Sequence, residues 1–352
     1  MKQNPAEMIE RLSRALANDF RIMPLDLPDA PLFLAIALPT DEGVTGLKPR
    51  LPAGRGMTLQ QAMLAAGAEA LELRASLAQH HLAELQRLPR KEGLAVVTAT
   101  DLVTGEAAQI LAQSVFLDSA TALSEPLRDD ANSTGCAVGR NRESAVANAL
   151  WECVERDAMA LWWHGNRQGT AVALEVIDAQ QPRLFWWLHQ RPRETRLLDI
   201  TTDIGLPVVV AVAAEEDGRV VALGSAARPV LKDAALAAVT EMVQTEVSLD
   251  LAREVGQTEA LDWIASASMT MDRPFQPGPA RGSEPLAMPD LLARLADLGH
   301  QALAVEMTLP GDPMPAMRVV VPGLCAMQGR TDTPRFARLC PGQPRLNMPE
   351  PF

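Results

Sequence analysis

One alanine-rich phrase with two spaced polar residues occurs three times in this chain. The copies are QAMLAAGAEALELR at 61–74, SAVANALWECVERD at 144–157 and DAALAAVTEMVQTE at 233–246. In each copy an alanine precedes the first glutamate by seven residues, and an acid or amide follows that glutamate by three. The matched positions are Ala62, Glu69 and Glu72; Ala145, Glu152 and Glu155; and Ala234, Glu241 and Gln244. Residues three apart share one face of a helix, so the sequence predicts three helices that each present a polar pair.

The charge on these helices predicts a metal site. If the helices converge, five carboxylates and one amide surround a common centre. Such a cluster repels itself and costs stability unless cations neutralise it. Magnesium held by a few carboxylates usually serves the phosphates of a nucleotide, so the repeat predicts a site for several Mg²⁺ ions and a nucleotide. The alternative interpretation, three amphipathic helices with solvated acids, explains one copy well and explains three copies with alanine at the same offset less well.

The composition argues against several other classes of protein. The net charge is −12 and the pI is about 5.0, which argues against a nucleic-acid partner. No run of about 18 apolar residues occurs, and the N-terminal segment lacks the unbroken apolar core of a secretion signal. The four cysteines show no C-x-x-C spacing, so structural zinc is not expected. We therefore expect a protein of the reducing cytoplasm, with no membrane partner.

The order of hydrophobic patterns predicts an α/β fold. Helices are expected at 1–20, 58–79, about 143–166, 182–191, 231–253 and 289–299, with Thr58 as an N-cap. Strands are expected at 31–39, 94–100, 107–117, 171–178, 196–201, 206–214, 219–226, 301–308 and 316–323. Irregular segments are expected between residue 20 and Pro31, at 40–56, 118–135 and 272–285, and from 324 to the end. Because neighbouring strands pair as hairpins, we expect mixed or antiparallel sheets with the alanine-rich helices packed on them.

Five blocks, in order along the chain, resemble the YcaO family. They are Ser133-Thr134-Gly135-Cys136-Ala137-Val138-Gly139, Glu152-Cys153-Val154-Glu155-Arg156-Asp157, Asp199 to Val209, Thr240-Glu241-Met242-Val243-Gln244, and Val319 to Leu324. The resemblance spans roughly 40–325. It implies a pseudo-repeated, YcaO-like ATP- and magnesium-binding domain at 40–325. An N-terminal helix and connecting strand at 1–39 precede it, and a proline-rich tail at 326–352 follows it.

The resemblance implies ATP-dependent chemistry on a peptide backbone amide. In such enzymes a nucleophile adds to the amide carbonyl, and ATP phosphorylates the amide oxygen, which is otherwise a very poor leaving group. Loss of phosphate leaves an azoline, a thioamide or an amidine. Mg²⁺ offsets charge in phosphoryl transfer, so ATP and Mg²⁺ are the expected cofactors.

The resemblance also implies roles for individual residues. The expected metal ligands are Glu69, Glu72, Glu152, Glu155 and Glu241. Besides these acids, the expected nucleotide contacts are Arg55, Ser133, Arg140, Arg156 and Gln244. Arg156 suits phosphate because a guanidinium offers forked donors. The expected catalytic residues are Glu155, Arg156 and Phe352. The terminal carboxylate of Phe352 would end a shortened form of the P-x-P-x-P tail found in members that cyclise peptides.

Several positions depart from the family pattern. The usual Gly-Lys-Gly before the first helix is Gly54-Arg55-Gly56, and the usual Ser-Asn-Gly has Thr134 in its centre. Arg140 occupies the position of an asparagine that contacts the nucleotide in the family, and Ser144 occupies the position of a glutamate. Ala237 occupies the position, four residues before Glu241, where the family has an arginine. Arg140 and Arg142 are candidate replacements for that arginine.

These observations lead to two main hypotheses. The first is an ATP-dependent enzyme that makes an azoline or a thioamide in a ribosomally synthesised peptide or protein, with the nucleophile left open. A partner protein is expected to deliver that substrate, either a leader-binding protein or, for thioamidation, one of the TfuA type. The second is a divergent member without ATPase activity that serves as a binding or scaffold subunit for the precursor peptide or an active partner. A different ATP-using amide-forming enzyme and a homodimer are further possibilities.

Overall fold

The computed structural model describes residues 4–26, 31–40, 51–129, 131–279, 283–327 and 333–342. Its contacts divide the chain into two compact units. Unit 1 comprises Met1–Cys153 and Gly299–Pro322, and unit 2 comprises Val154–Leu298 and Gly323–Phe352. Each unit has its own sheets.

The helices and strands have the following bounds in the described residues. The helices are α1 Pro5–Ala15, α2 Leu59–Ser76, α3 Leu82–Leu85, α4 Ser119–Leu123, α5 Arg142–Trp163, α6 Pro182–Gln190, α7 Leu231–Glu254, α8 Thr258–Ser266, α9 Met288–Asp297 and α10 Pro334–Leu339. The strands are β1 Phe20–Leu25, β2 Phe33–Pro39, β3 Ala53–Gly56, β4 Arg90–Lys91, β5 Leu94–Asp101, β6 Ala107–Leu111, β7 Cys136–Val138, β8 Thr170–Val172, β9 Arg193–Asp199, β10 Val208–Glu215, β11 Ala222–Ala227, β12 Leu303–Glu306 and β13 Ala316–Val320.

Unit 1 contains two antiparallel sheets. One has the order β1-β2-β3, and the other has the order β4-β5-β12-β13-β7 with β6 paired to β5. Helix α2 packs against β2 and β3 and also against α1. The core between these elements is apolar and buried, and its members include Leu12, Phe20, Leu71, Val115, Phe116 and Leu303.

Unit 2 is built on one antiparallel sheet of order β11-β10-β9-β8. Every residue of β10 except the last is buried, as expected for a central strand with both faces covered. Helix α7 packs against β10 and β11. The tilted rings of Trp162, Trp163, Trp263 and Phe275 form a second apolar cluster, in which neighbouring ring centroids lie 5.6–6.0 Å apart.

Glycine on a strand allows two of the alanine-rich helices to approach their sheets closely. A Cβ added at Gly54 of β3 would lie 2.0 Å from the backbone nitrogen of Ala66 and 2.2 Å from the carbonyl oxygen of Ala62 on α2. A Cβ at Gly224 of β11 would lie 2.2 Å from the carbonyl oxygen of Ala238 on α7. The small residues of the repeat therefore serve backbone-to-backbone packing, which fixes the faces of α2 and α7 that carry the acids.

The α/β class with antiparallel sheets and packed alanine-rich helices is confirmed. The three helices of the repeat are α2, α5 and α7, and the Thr58 hydroxyl accepts a hydrogen bond from the Gln61 N–H, as an N-cap should. The hairpins β5–β6 and β10–β11 also form as predicted. These are local features, for which nearby residues carry most of the information.

Several predicted boundaries were wrong. The helix expected at 1–20 is α1, which ends at Ala15. The residues after it, expected to be an irregular connection, form β1, an edge strand that tolerates Pro24. Arg55 lies on β3 rather than in a loop, because the glycines that suggested a loop permit close helix packing. The strand expected at 171–178 ends at Val172 and continues as a 3₁₀ turn. Helices α4, α8 and α10 lie where irregular structure or no element was expected.

The N-terminal, central and C-terminal boundaries predicted at 1–39, 40–325 and 326–352 stay a prediction. Among the described residues, no helix combines the length and the apolar character needed to cross a membrane.

Candidate functional site

In unit 1, backbone N–H groups hold Glu69 and Glu72 of α2 and Glu152 of α5. Ala53 N–H of β3 donates to Glu69 Oε2 at 2.9 Å. Gly135 N–H, just before β7, donates to Glu152 Oε2 at 3.2 Å. The Val138 N–H of β7 donates to the Glu72 carboxylate. Strands β3 and β7 thus provide fixed donors for carboxylates on neighbouring helices, which orients those side chains.

The charge of this first group is costly in the absence of a cation. Burial raises the pKa of Glu72 well above its ordinary value, and the carboxylates of Glu152 and Glu69 raise it further. The Val138 N–H and the guanidinium of Arg318 act in the opposite direction. Glu69 and Glu152 are therefore each close enough to repel Glu72, which is the electrostatic signature expected of a cation site.

A buried arginine lies beside these acids. Arg318 of β13 is only 5% exposed, and its Nη1 donates to the Asn132 carbonyl oxygen at 2.6 Å and to Cys136 Sγ at 2.9 Å. The thiols near it are not activated. Burial, opposed by Arg318, raises the pKa of Cys136 to about 11, and burial raises that of Cys153 to about 12. These cysteines are buried packing residues rather than nucleophiles.

In unit 2, Glu155 of α5 is held by β11. Glu155 is 8% exposed, its Oε1 accepts a hydrogen bond from Ser225 Oγ at 2.7 Å, and its Oε2 accepts one from the Ala227 N–H at 3.2 Å. Burial raises the pKa of Glu155, and the carboxylate of Glu241 on α7 also raises it. The positive charges of Arg156 and Arg228 lower it. Two acids and two arginines thus form the second group.

The aspartate that follows this acid has a structural role. Asp157 is fully buried and takes a bidentate pair from Arg335 of α10, with Nε to Oδ1 and Nη2 to Oδ2 both at 2.8 Å. Its Oδ1 also accepts from the Cys325 N–H at 2.8 Å. Arg335 reaches Asp203 Oδ1 at 2.7 Å as well. This network fastens α10 to α5 within unit 2.

The start of α5 is capped by side chains. Asn141 Oδ1 accepts from the Ser144 N–H at 2.9 Å, and Ser144 Oγ accepts from the Asn141 N–H at 3.2 Å. This reciprocal pair is a capping box in which serine occupies the third helical position. Arg142 lies 3.7 Å from Glu306, between Nη1 and Oε2, across an exposed surface. Whether Arg142 or Arg140 replaces the arginine absent at Ala237 stays a prediction.

The predicted site residues fall into two groups and several single positions. Glu69, Glu72 and Glu152 come together in unit 1, and Glu155, Arg156 and Glu241 come together in unit 2. Arg55 is half-buried on β3, Gln244 is half-buried on α7, and Ser133 and Arg140 are exposed at the two ends of the segment that contains β7. Phe352 lies outside the described residues.

Three partners of acids on the repeated helices were not foreseen from the sequence: Ser225 for Glu155, Arg318 for Glu72 and Glu152, and Arg335 for Asp157. Ser225, Arg318 and Arg335 lie 70 or more positions away from the residues they contact, so no local spacing announces them. A glycine within an apolar strand is the one available signal, since Gly224 precedes Ser225 and indicates a close approach of another backbone.

The donor chemistry of the acids fits magnesium with a phosphate ligand. Carboxylate oxygens suit Mg²⁺, which usually takes only one or two protein carboxylates and completes its shell with water and phosphate. Within the described part of the chain, no group of three acidic, histidine or cysteine side chains is arranged to hold an ion alone. The arrangement is therefore unlike a dedicated protein cage, and the raised pKa of Glu72 marks a place where added positive charge is favourable.

Comparison with known proteins agrees with this architecture. A solved structure described as YcaO from Methanopyrus kandleri bound with AMPPCP and Mg²⁺ superposes with a TM-score of 0.71 at 22% identity, covering 99% of this chain and 95% of the other. A heterocyclase in complex with substrate and cofactor gives a TM-score of 0.80 at 19% identity, covering 99% of this chain and 58% of the other. At these identities the likeness shows the fold.

Two curated relatives share sequence with part of the chain. A Rhizobium leguminosarum bv. trifolii protein described by its position in the tfuA 3′ region is 29% identical over 55% of this chain and 52% of its own length. A protein of Methanothermobacter thermautotrophicus is 27% identical over 64% of this chain and 63% of its own length. The matched region thus spans about half of the first relative and less than two thirds of the second.

The family model covers most of the chain. The family described as YcaO cyclodehydratase, ATP- and Mg²⁺-binding, matches residues 74–325, which include the helices α5 and α7 and the acids on them. Glu69, Glu72 and Arg55 precede that match, and Phe352 follows it. The matched residues, with the mixed α/β fold already described, establish that the chain belongs to the YcaO family.

Proposed function

We propose that this protein uses Mg-ATP to activate a backbone amide in a peptide or protein. The observation that carries the proposal is the pair of acid groups on the repeated helices, each held by strand donors and each with a carboxyl pKa raised by burial and by its neighbours. An enzyme keeps such a costly arrangement where a cation offsets it. Membership in a family described as ATP- and Mg²⁺-binding supports the same assignment.

Each group has a defined task in this proposal. Glu69, Glu72, Glu152, Glu155 and Glu241 supply carboxylate oxygens to Mg²⁺. Arg156, with Arg55, Ser133, Arg140 and Gln244, contacts the nucleotide. Bound ATP would supply the phosphoryl group that makes the amide oxygen a leaving group. The strand N–H donors hold the carboxylates in place beforehand, so less reorganisation is needed when the metal and phosphates arrive.

The tail has a further task in the proposal. The C-terminal carboxylate of Phe352 is proposed to act near the reacting amide. The argument is the short Pro349-Glu350-Pro351-Phe352 ending, and it concerns residues outside those that the structure describes.

The product class we propose is an azoline or a thioamide in a ribosomally synthesised substrate. A solved heterocyclase of the same fold is described with substrate and cofactor, and a solved Escherichia coli microcin synthetase of related fold is described as a complex, McbBCD. The Rhizobium relative is described by its neighbourhood to tfuA. These descriptions support a peptide substrate and a separate partner protein, either leader-binding or of the TfuA type.

Two observations favour the alternative, a binding or scaffold subunit without ATPase activity. Ala237 cannot donate to phosphate, and Arg142 is directed to Glu306 at 3.7 Å. In that case the acid groups would still bind Mg²⁺, but no phosphate would be released.

Phosphate release from Mg-ATP distinguishes the two functions. The wild-type chain should release phosphate slowly when alone, and Glu155→Gln should abolish release because it removes one carboxylate charge while keeping the side chain's size. The matched control is Glu143→Gln, an exposed acid on the same helix, which should leave release unchanged. Nucleotide binding without any phosphate release, alone or with a partner and peptide, would favour the scaffold function instead.

A further inference from the structure

Arg318 bridges the two ends of one turn in unit 1. Its Nη1 donates to the Asn132 carbonyl oxygen at 2.6 Å and to Cys136 Sγ at 2.9 Å. Residues 132–136, here called the Ser133 turn, lie between these two contacts. One buried nitrogen therefore fixes both the entry and the exit of this turn.

The Ser133 turn is also tied to α5 and β13 through Gly135. Gly135 has φ +80° and donates its N–H to Glu152 Oε2 at 3.2 Å. Its carbonyl oxygen accepts from the Val319 N–H at 2.7 Å. A Cβ at this position would lie 2.2 Å from the Val319 carbonyl oxygen and 2.7 Å from Cys153 Sγ. The turn thus has little freedom to shift without disturbing the carboxylate of Glu152.

The positive charge of Arg318 also links the Ser133 turn to the neighbouring acids. Its hydrogen-bond acceptors in the described residues are a carbonyl and a thiol, and both are neutral. A buried arginine is costly without negative charge nearby. The carboxylates of Glu72 and Glu152 supply that charge from the adjacent helices. The arginine therefore joins the turn to the acids both by hydrogen bonds and by charge.

We propose that Arg318 is a positioning residue that holds the Ser133 turn in register with Glu152 for Mg-nucleotide binding. This proposal rests on the proposed function, because that function supplies the Mg-nucleotide that the Ser133 turn and Glu152 would bind. Arg318 itself acts through the turn and does not touch the nucleotide.

The first test is a double-mutant cycle on Mg-ATP affinity, measured by isothermal titration. Arg318→Met should weaken binding by about tenfold to a hundredfold, as removal of supporting partners does at metal sites. Ser133→Ala should weaken binding in the wild-type background and have almost no further effect in Arg318→Met, because the turn is already displaced. Additive losses would overturn the proposal, since a merely structural arginine predicts additivity.

Two further variants sharpen that test. Arg318→Lys should recover most of the lost affinity, because both hydrogen bonds come from a single nitrogen and lysine keeps the charge. Arg193→Met is the matched control: Arg193 Nη2 also donates to a carbonyl, that of Val220 at 2.7 Å, but within unit 2. It should lower thermal stability without changing Mg-ATP affinity. Affinity equally reduced in Arg318→Lys and Arg318→Met would contradict the bridging role.

The second test needs no nucleotide. Amide hydrogen exchange at Gly135, Cys136 and Val319 should be at least about tenfold faster in Arg318→Met than in wild type, while Arg193→Met should not change it. Unchanged exchange at these amides would overturn the proposal. If Arg318→Met does not fold, Cys136→Ala removes one arm of the bridge and is read by the same exchange. A wild-type chain that fails to bind Mg-ATP would reject the proposed function, and the exchange result would still decide the role of Arg318.

Discussion

Backbone N–H groups on strands, or just before a strand, hold three glutamates of the repeated helices. Ala53, Gly135 and Ala227 each donate an N–H to one carboxylate oxygen of a glutamate on a repeated helix. A backbone donor is held in place by its strand and is kept in every substitution except proline, so it gives each acid a fixed orientation. Burial, and then the neighbouring carboxylates of Glu152 and Glu69, raise the carboxyl pKa of Glu72.

The variant Glu72→Gln tests this balance between stability and binding. Glutamine still accepts from the Val138 N–H, and its amide can donate to neighbouring carboxylates, so the repulsion around position 72 is relieved. We expect the nucleotide-free protein to gain about 0.5–2 kcal/mol, seen as a rise in Tm, while Mg-ATP affinity falls.

The control for this prediction is Glu143→Gln, an exposed acid in the first turn of α5, which should leave Mg-ATP affinity unchanged and should lower stability by no more than about 1 kcal/mol. A loss of stability in Glu72→Gln, with Mg-ATP affinity unchanged, would mean that the acid is a structural acceptor and no more.

The strands and helices that carry the acids are packed at backbone contact. On β11, Gly224 leaves no space for a Cβ against α7, and the same strand supplies Ser225 and Ala227 to Glu155. The position of the helix relative to its sheet therefore sets the geometry of the second acid group.

Gly224→Ala is expected to force α7 away from β11. The added Cβ would lie 2.2 Å from two backbone atoms of the helix, so the change should cost about 1–3 kcal/mol or more and also weaken Mg-ATP binding. The control Gly105→Ala places a Cβ in open space at φ +74° and should cost only about 1 kcal/mol, with no effect on binding. Chemical denaturation measures both. Equal costs for the two variants would argue against close helix–strand packing.

Helix α10 depends on a buried ion pair. Arg335 and Asp157 are 4% and 0% exposed, so removing one partner leaves the other charge buried and unpaired. Arg335→Leu should therefore cost about 3–5 kcal/mol in unfolding free energy. The double variant with Asp157→Asn should recover part of that cost.

Arg338→Leu is the matched control on the same helix. Its side chain is 53% exposed and lies 3.3 Å from Asp203 Oδ2, so the expected cost is below about 1 kcal/mol. If Arg335→Leu cost no more than Arg338→Leu, the buried pair would not be what holds α10.

Element-level sequence reasoning succeeded where the signal was local. The cap at Thr58, the repeated helices and the two hairpins follow from spacing and turn residues over a few positions. It failed at β3, where glycine was needed for packing rather than for a turn. It also missed α10, because the proline-rich composition of that segment obscured a short helix that Asp157 anchors from 178 positions away.

For the whole molecule, one helix links the two groups of acids along the chain. Helix α5 begins in unit 1 with Glu152 among its residues and continues into unit 2 with Glu155. The sequence repeat predicted three acid-bearing helices, and the structure has them as α2, α5 and α7. The partners of those acids depend on contacts between distant parts of the chain, and so they required the structure.

The most direct measurement is isothermal titration of Mg-ATP into the wild type, Glu72→Gln from unit 1, Glu155→Gln from unit 2, and the control Glu143→Gln. If the acids of the repeated helices bind the Mg-nucleotide, the wild type binds Mg-ATP, and each site variant loses at least about tenfold in affinity. The control should bind like the wild type. Absence of binding by the folded wild type, or unchanged affinity in either site variant, would contradict the claim that the acids of the repeated helices bind the Mg-nucleotide.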